Sequence, residues 1–256
     1  MDGKECVRRG AFICFEGIDH SGKSTQARLV AEKLGSEVGS AGVRVVTFPD
    51  RSSPTGVLIN GYLTDKTKAL EDHVVHLLYA ANRWEKMFVV PHSLKSMRLH
   101  VLPLAPSFLQ WMSNRAEIEK LLQEGVTVIA DRYTYSGIAY TLAKDRVSKK
   151  DKPVFSYEWC IACERGLLRP DKVIFFDLDV KTALERGNAG GKSQERYETS
   201  PFLSAVKSVY DQELIDKSFW HVIDAHPKPE EITAQVMDIV HQVIEDVHNK
   251  PTERIA

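Results

Sequence analysis

Short apolar runs and amphipathic stretches alternate along most of the chain. Residues 11–16 (AFICFE), bounded by Gly10 and Gly17, form a continuous apolar run that predicts a buried strand. Residues 43–48 (VRVVTF) are β-branched, stop at Pro49 and predict a second strand. Residues 126–130 (VTVIA), 172–178 (KVIFFDL) and 220–223 predict a third, fourth and fifth. Helical patterns fill the intervals, at residues 25–34, 53–63, 71–85, 116–123, 133–143, 157–165, 180–186, 201–217 and 229–247. In 71–85 the apolar side is predicted to carry Val74, Val75, Leu77, Leu78 and Ala81. Residues 187–193 are glycine-rich and polar, and predict a mobile loop. Strands separated by helices imply βαβ units and hence an α/β fold with a five-stranded parallel sheet flanked by helices. Ligands of such sheets lie at the carboxyl ends of the strands. No fixed-period repeat is present, which excludes a solenoid.

Composition narrows the function classes. The 256 residues carry 34 basic and 35 acidic side chains, a net charge of −1. That balance argues against a general polyanion binder, so no nucleic-acid partner is expected. No stretch reaches the 18 or more apolar residues of a membrane span, so no membrane partner is expected. The first five residues, M-D-G-K-E, have no apolar signal core. Four cysteines (Cys6, Cys14, Cys160, Cys163) are too few for a disulfide scaffold, which makes a reducing compartment the expectation. The expected location is therefore the cytoplasm, with a nuclear presence left open.

Residues 17–24 read GIDHSGKS and fit the phosphate-loop pattern G-x-x-x-x-G-K-[ST], with a predicted strand before it and a helix after it. Gly17 and Gly22 let the backbone curl so that N–H groups, including those of His20 and Ser21, face phosphate oxygens. The helix N-terminus that follows, from Thr25, adds partial positive charge. Lys23 reaches the β- and γ-phosphates of a nucleoside triphosphate, and the Ser24 hydroxyl ligates Mg²⁺. Guanine-reading GTPases need an N-K-x-D motif after a strand, and the sole Asn-Lys pair here is Asn249-Lys250 near the end of the chain.

Asp131-Arg132-Tyr133 follows the third strand and lands on the same sheet edge. A carboxylate there can hold Mg²⁺ through water, and an arginine can neutralise a second phosphate. Phe48-Pro49-Asp50-Arg51 ends the second strand at that edge and adds another arginine. Two arginines beside a phosphate loop suggest donor and acceptor phosphates face to face. Tyr79 and Arg83 stand four apart on one helix face. Such a pair can stack a base and hydrogen-bond its carbonyl.

FEGIDHSGKSTQ, FPDRSSPTG, HLLYAANRWE, DRYTYSGIAY and ERYE, in this order, resemble the thymidylate kinase family. The similarity runs from about Ala11 to the last helix, interrupted once. It implies a P-loop kinase fold with a flexible lid near residues 187–196, and one kinase domain over residues 1–256. The implied reaction is ATP + dTMP → ADP + dTDP with Mg²⁺, in a homodimer. The family roles map onto this chain as follows. Lys23 and Ser24 serve the ATP phosphates and the metal, with Asp131 the acidic residue at the metal. Asp19 matches the carboxylate near the 3′-hydroxyl and acceptor phosphate, and Arg51 and Arg132 the arginines that grip that phosphate. Phe48 lines the base pocket, Tyr79 stacks on thymine and Arg83 contacts its O4. Ser136 and Tyr140 match pocket positions, and Tyr197 closes over the sugar. Adenine is expected near Arg186 and Asp224. Two alternatives stay open: another (deoxy)nucleoside monophosphate kinase, or a nucleotide-binding relative that has lost catalysis.

Two departures from the family pattern bear on the site. Many relatives carry arginine in the phosphate loop where this chain has His20, and an unperturbed histidine is only about a quarter protonated at pH 7. Lys192, in the lid stretch, is expected to supply some of the missing cationic help; the plain alternative is a solvated lysine. The second departure is the interruption. From Lys86 to Ala116, 31 residues hold no acid and four basic residues (Lys86, Lys95, Arg98, Arg115), where roughly four acids would be expected. About 28 residues, 87–114, separate helices that a short link joins in the family. An inert surface excursion, translated non-coding sequence and a basic-apolar arm for a partner are the three readings. Residues 147–153 (VSKKDKP) predict a charged surface loop, and Cys160-x-x-Cys163 lacks the second pair that zinc needs. Outside the interruption the charge is −5, from 30 basic against 35 acidic residues, so the kinase core is mildly acidic.

Overall fold

The computed structural model describes residues 9–87, 117–148, 153–189, 195–216 and 218–256. Strands β1 (Phe12–Glu16), β2 (Val43–Thr47), β3 (Thr127–Asp131), β4 (Lys172–Asp177) and β5 (Trp220–Asp224) pair in parallel. Their order across the sheet is β2-β3-β1-β4-β5. All five residues of β1 and of β3 are buried, because helices cover both faces of the middle of the sheet. This is why those strands read as unbroken apolar runs. The edge strands β2 and β5 are partly exposed.

The register decides where the functional loops emerge. Phe15 lies beside Asp131, and Glu16 beside Phe175. The phosphate loop after β1 and the Asp-Arg-Tyr turn after β3 therefore leave the sheet side by side. Helix α1 (Lys23–Val38) follows the loop, and α2 (Pro54–Thr64) and α3 (Asp72–Met87) follow β2. Helix α4 (Glu117–Gln123) leads into β3, and α5 (Thr134–Ser148) and α6 (Tyr157–Ala162) follow it. Helices α7 (Val180–Ala189), α8 (Ser200–Val209) and α9 (Pro229–Val247) complete the described set. Helix α1 is tied to α9 through Gln26, which donates to the Pro229 carbonyl at 2.9 Å and accepts from Thr233 at 2.8 Å.

Four expectations change. Gly187 is helical rather than loop, since α7 runs to Ala189. A Cβ at Gly187 would stand 2.7 Å from His20 Nε2, so this glycine serves a close approach. The buried side of α3 holds Val75, His76, Ala80, Asn82, Arg83 and Met87, whereas Val74 and Leu77 are exposed. Polar residues face inward there because each finds a partner, as described below. Helix α8 stops at Val209 and continues as a π-turn, Tyr210–Leu214. Helix α6 ends at Ala162, leaving residues 163–165 in a turn. The interruption beyond Met87, Lys192 and the lysines of residues 149–152 lie outside the described residues.

Candidate active site

The phosphate loop turns tightly after β1. Gly17 has φ +147°, and a Cβ there would stand 2.7 Å from Ser21 Oγ and 2.8 Å from the Phe176 carbonyl. Gly22 starts α1 from a left-handed conformation. Lys23 is buried, with Nζ on the Ile18 carbonyl and 3.2 Å from Ser21 Oγ. Burial and the nearby Arg132 charge bring its pKa down to about 7. His20 Nε2 lies 3.3 Å from Glu198 Oε1, beside α7.

His20, Ser21, Gly22, Lys23, Ser24 and Thr25 line a first cleft with Arg186, Pro227 and Pro229. Arg186 donates to the His226 carbonyl at 3.3 Å. Asp224 lies off the lining. Its carboxylate instead accepts the His226 backbone N–H at 3.0 Å and pairs with the ring. Ser24 also faces a neighbouring cleft that Asp131 lines. Asp131 is buried, and its Oδ1 has no hydrogen-bond partner among the described residues. An orphaned carboxylate oxygen and a serine that line one cleft suit a hydrated cation.

The second cavity, of about 110 Å³, opens onto the first. Asp19, Phe48, Arg51, Tyr79, Arg83, Arg132, Ser136, Tyr140 and Tyr197 all line it, drawn from the phosphate loop, the turns after β2 and β3, α3, α5 and the segment before α8. Asp19, Arg51 and Arg132 line the first cleft as well. Arg132 pairs with Asp19 and donates to the Gly17 carbonyl and Ser136 Oγ, each at 3.1 Å. Tyr140 donates to Asp19 Oδ2 at 2.7 Å. Burial raises the Asp19 pKa, but Arg132, Lys23 and the Tyr140 hydrogen bond outweigh it and hold the carboxyl below its ordinary value. Burial also keeps the hydroxyls of Tyr79, Tyr140 and Tyr197 protonated well above the usual phenol range.

Several supporting residues have no strong local signal in the sequence. Glu164, wholly buried, takes both Nε and Nη2 of the buried Arg83. Burial opposes the Arg83 charge, and Glu164 more than offsets that. The same segment braces α3 through backbone. The carbonyl of Cys160 meets His76 Nε2 at 3.2 Å, and that of Cys163 accepts from Trp84 at 3.0 Å. Glu195 holds Arg51 bidentately, at 2.8 and 3.0 Å. Arg196 donates to the carbonyls of Tyr62, Asp65 and Lys68 at the end of α2. Tyr197 meets the Tyr62 hydroxyl at 2.7 Å and stacks on Phe202. The ERYE segment is thus latched onto α2. Cys14, Cys160 and Cys163 are free thiols, and burial raises the pKa of each.

The family model for thymidylate kinase matches residues 15–102 and 107–236. The chain belongs to the thymidylate kinase family. It is 36% identical over 245 residues to the thymidylate kinase of Danio rerio, covering 95% of this chain and 96% of that one. To the human enzyme it is 34% identical over 248 residues, covering 96% of each. The solved structure of Candida albicans thymidylate kinase superposes with a TM-score of 0.73 at 32% identity, covering 97% of this chain and 99% of that one. The phosphate loop on a parallel sheet is accordingly the P-loop kinase fold of this family, and the chain is an ATP-dependent phosphotransferase.

Proposed function

We propose that this chain transfers the γ-phosphoryl group of ATP to dTMP, giving ADP and dTDP. The observation that carries the reading is the meeting of two cavities at Asp19, Arg51 and Arg132. One cavity is walled by a phosphate loop and the other by aromatic rings and Arg83, so two nucleotides enter with their phosphates toward each other.

An acceptor phosphate oxygen is already anionic at neutral pH, so little base catalysis is required. Positioning and charge stabilisation carry the reaction. Lys23 and the loop amides bind the donor phosphates. Arg132 and Arg51 bind the acceptor phosphate, and Arg51 exchanges Glu195 for it. Phe48 and Tyr79 sandwich the base, Arg83 reads O4, and Tyr140 and Tyr197 enclose the sugar near Asp19. Mg²⁺ fits Ser24 and the orphaned Asp131 oxygen, and when bound it neutralises charge on the transferring group. His20 is a loop donor braced by Glu198.

The proposal extends to one kinase domain over the chain, with residues 87–114 inserted. It also includes a homodimer, supported by exposed Val57, Leu58, Val74 and Leu77 on α2 and α3. The free thiols agree with a cytoplasmic setting. Among the described residues no helix is long and apolar enough to cross a membrane. A coupled ADP-release assay with ATP, Mg²⁺ and a panel of nucleoside monophosphates tests the reading. Turnover of dTMP above the others supports it, and turnover restricted to a different monophosphate overturns it.

A further inference from the structure

Glu16 ends β1 one residue before the phosphate loop, and it is wholly buried. A buried carboxylate is costly unless hydrogen bonds replace its water. Four N–H and O–H donors meet this one. Oε1 accepts the amides of Tyr133 at 2.9 Å and Ser136 at 3.1 Å. Oε2 accepts the hydroxyls of Ser136 at 2.5 Å and Tyr210 at 2.8 Å. The two amides belong to the N-terminal end of α5, where N–H groups have no partner within the helix. Glu16 therefore caps α5 from the neighbouring strand.

This cap bears directly on Arg132. Its φ is +67°, a left-handed conformation that a non-glycine residue holds only with support. The Arg132 N–H donates to the Phe15 carbonyl at 2.9 Å, and the next N–H donates to Glu16. The last two residues of β1 thus bracket the strained position. Ser136 completes the connection. It gives its one hydroxyl proton to Glu16, so its lone pairs are left for Arg132 Nη1.

We propose that Glu16 is a positioning residue for the acceptor phosphate. Through the α5 amides and the Ser136 hydroxyl it sets where the Arg132 guanidinium stands relative to the phosphate loop. The inference rests on the reading of Arg132 as a ligand of that phosphate. Glutamine has nearly the same shape, and its oxygen can keep both amides. Its NH₂, however, would face two hydroxyls, and Ser136 would lose the acceptor that directs its proton away from Arg132.

A double-mutant cycle on dTMP affinity, measured by titration calorimetry without ATP, tests this. Glu16→Gln is expected to weaken dTMP binding about tenfold while ATP affinity stays within about twofold. Arg132→Ala is expected to cost about a hundredfold, and adding Glu16→Gln to it no more than about twofold further. Equal losses from Glu16→Gln in both backgrounds would mean ordinary core support and would overturn the proposal, as would unchanged dTMP affinity in the single variant. Ser136→Ala keeps the carboxylate and its amide bonds, so it provides the test even where Glu16→Gln folds poorly. A loss of dTMP affinity that vanishes in the Arg132→Ala background supports the relay, and intact affinity rejects it. A wild-type protein that fails to bind dTMP overturns the functional reading itself, which separates the two failures.

Discussion

The donor cleft and the acceptor cavity share Asp19, Arg51 and Arg132 but are built by different means. The donor cleft is built around one local segment. Residues from Asp19 to Gln26 are consecutive and make up half of its lining, with Arg186, Glu195, Glu198, Pro227, Pro229 and Ile232 added from elsewhere besides the two shared arginines. The acceptor cavity draws on α2, α3, α5 and the ERYE segment. Its charged and polar groups are held by distant partners, Arg83 by Glu164, Arg51 by Glu195 and Tyr197 by Tyr62. A backbone cradle tolerates variation around it, because its donors are peptide N–H groups. A cavity walled by paired side chains depends on every partner, because an unpaired buried charge is penalised.

The largest test of this contrast is on the donor side. Lys23→Met is expected to lower turnover by at least about a hundredfold, because one focused cation is removed from a water-poor site. Its melting temperature should stay within a few degrees, since the loop backbone remains. ADP release and thermal melts measure both, and near-normal turnover would break the assignment of the cleft.

The acceptor side should respond in stability as well as in binding. Arg83→Ala leaves Glu164 buried and unpaired, at a cost of about 3–5 kcal/mol and a melting temperature lower by roughly 10 °C. Arg83→Met with Glu164→Leu should recover most of that stability but none of the dTMP affinity. Recovery of both would mean that Arg83 is purely structural.

A smaller effect is expected from pH. Burial holds the His76 pKa down at about 4, whereas the unfolded chain takes up this proton near 6.5. The unfolded state therefore binds more protons between these values. The stability linked to His76 is complete above about pH 6.5 and is lost as the pH falls toward 4, up to about 3 kcal/mol. Urea denaturation of wild type and His76→Asn across that range should show a flatter profile in the variant. Parallel profiles would remove His76 from the account.

The smallest effect concerns geometry alone. A Cβ at Gly137 would stand 2.7 Å from Arg83 Nη2. Gly137→Ala should raise KM for dTMP about fivefold and leave KM for ATP unchanged, because the displaced guanidinium serves one cavity. A comparable rise in both would erase the distinction between the two sites.

The difference in construction also decides how much could be read from the chain. The phosphate loop was legible because its chemistry is contiguous and its glycines answer local backbone demands. The buried strands were legible because they are covered on both faces. The apolar side assigned to α3 was partly wrong for the opposite reason. His76, Asn82 and Arg83 turn inward because Thr141, Ser53 and Glu164 meet them there, and those partners lie 65, 29 and 81 positions away. Gly187 has the composition of a loop, yet it lies inside α7, where its missing Cβ leaves room for His20.

By itself the sequence determined the parallel sheet, the phosphate loop at its edge and, through five ordered motifs, the residues that line the second cavity. Local backbone preference and hydrophobic period suffice for the first two. Tertiary structure alone decided which carboxylates hold the arginines in place: Glu16 behind Ser136 and Arg132, Glu164 behind Arg83, Glu195 against Arg51. A charged side chain pairs with whatever the fold brings within about 3 Å of it, and that proximity has no signature along the chain.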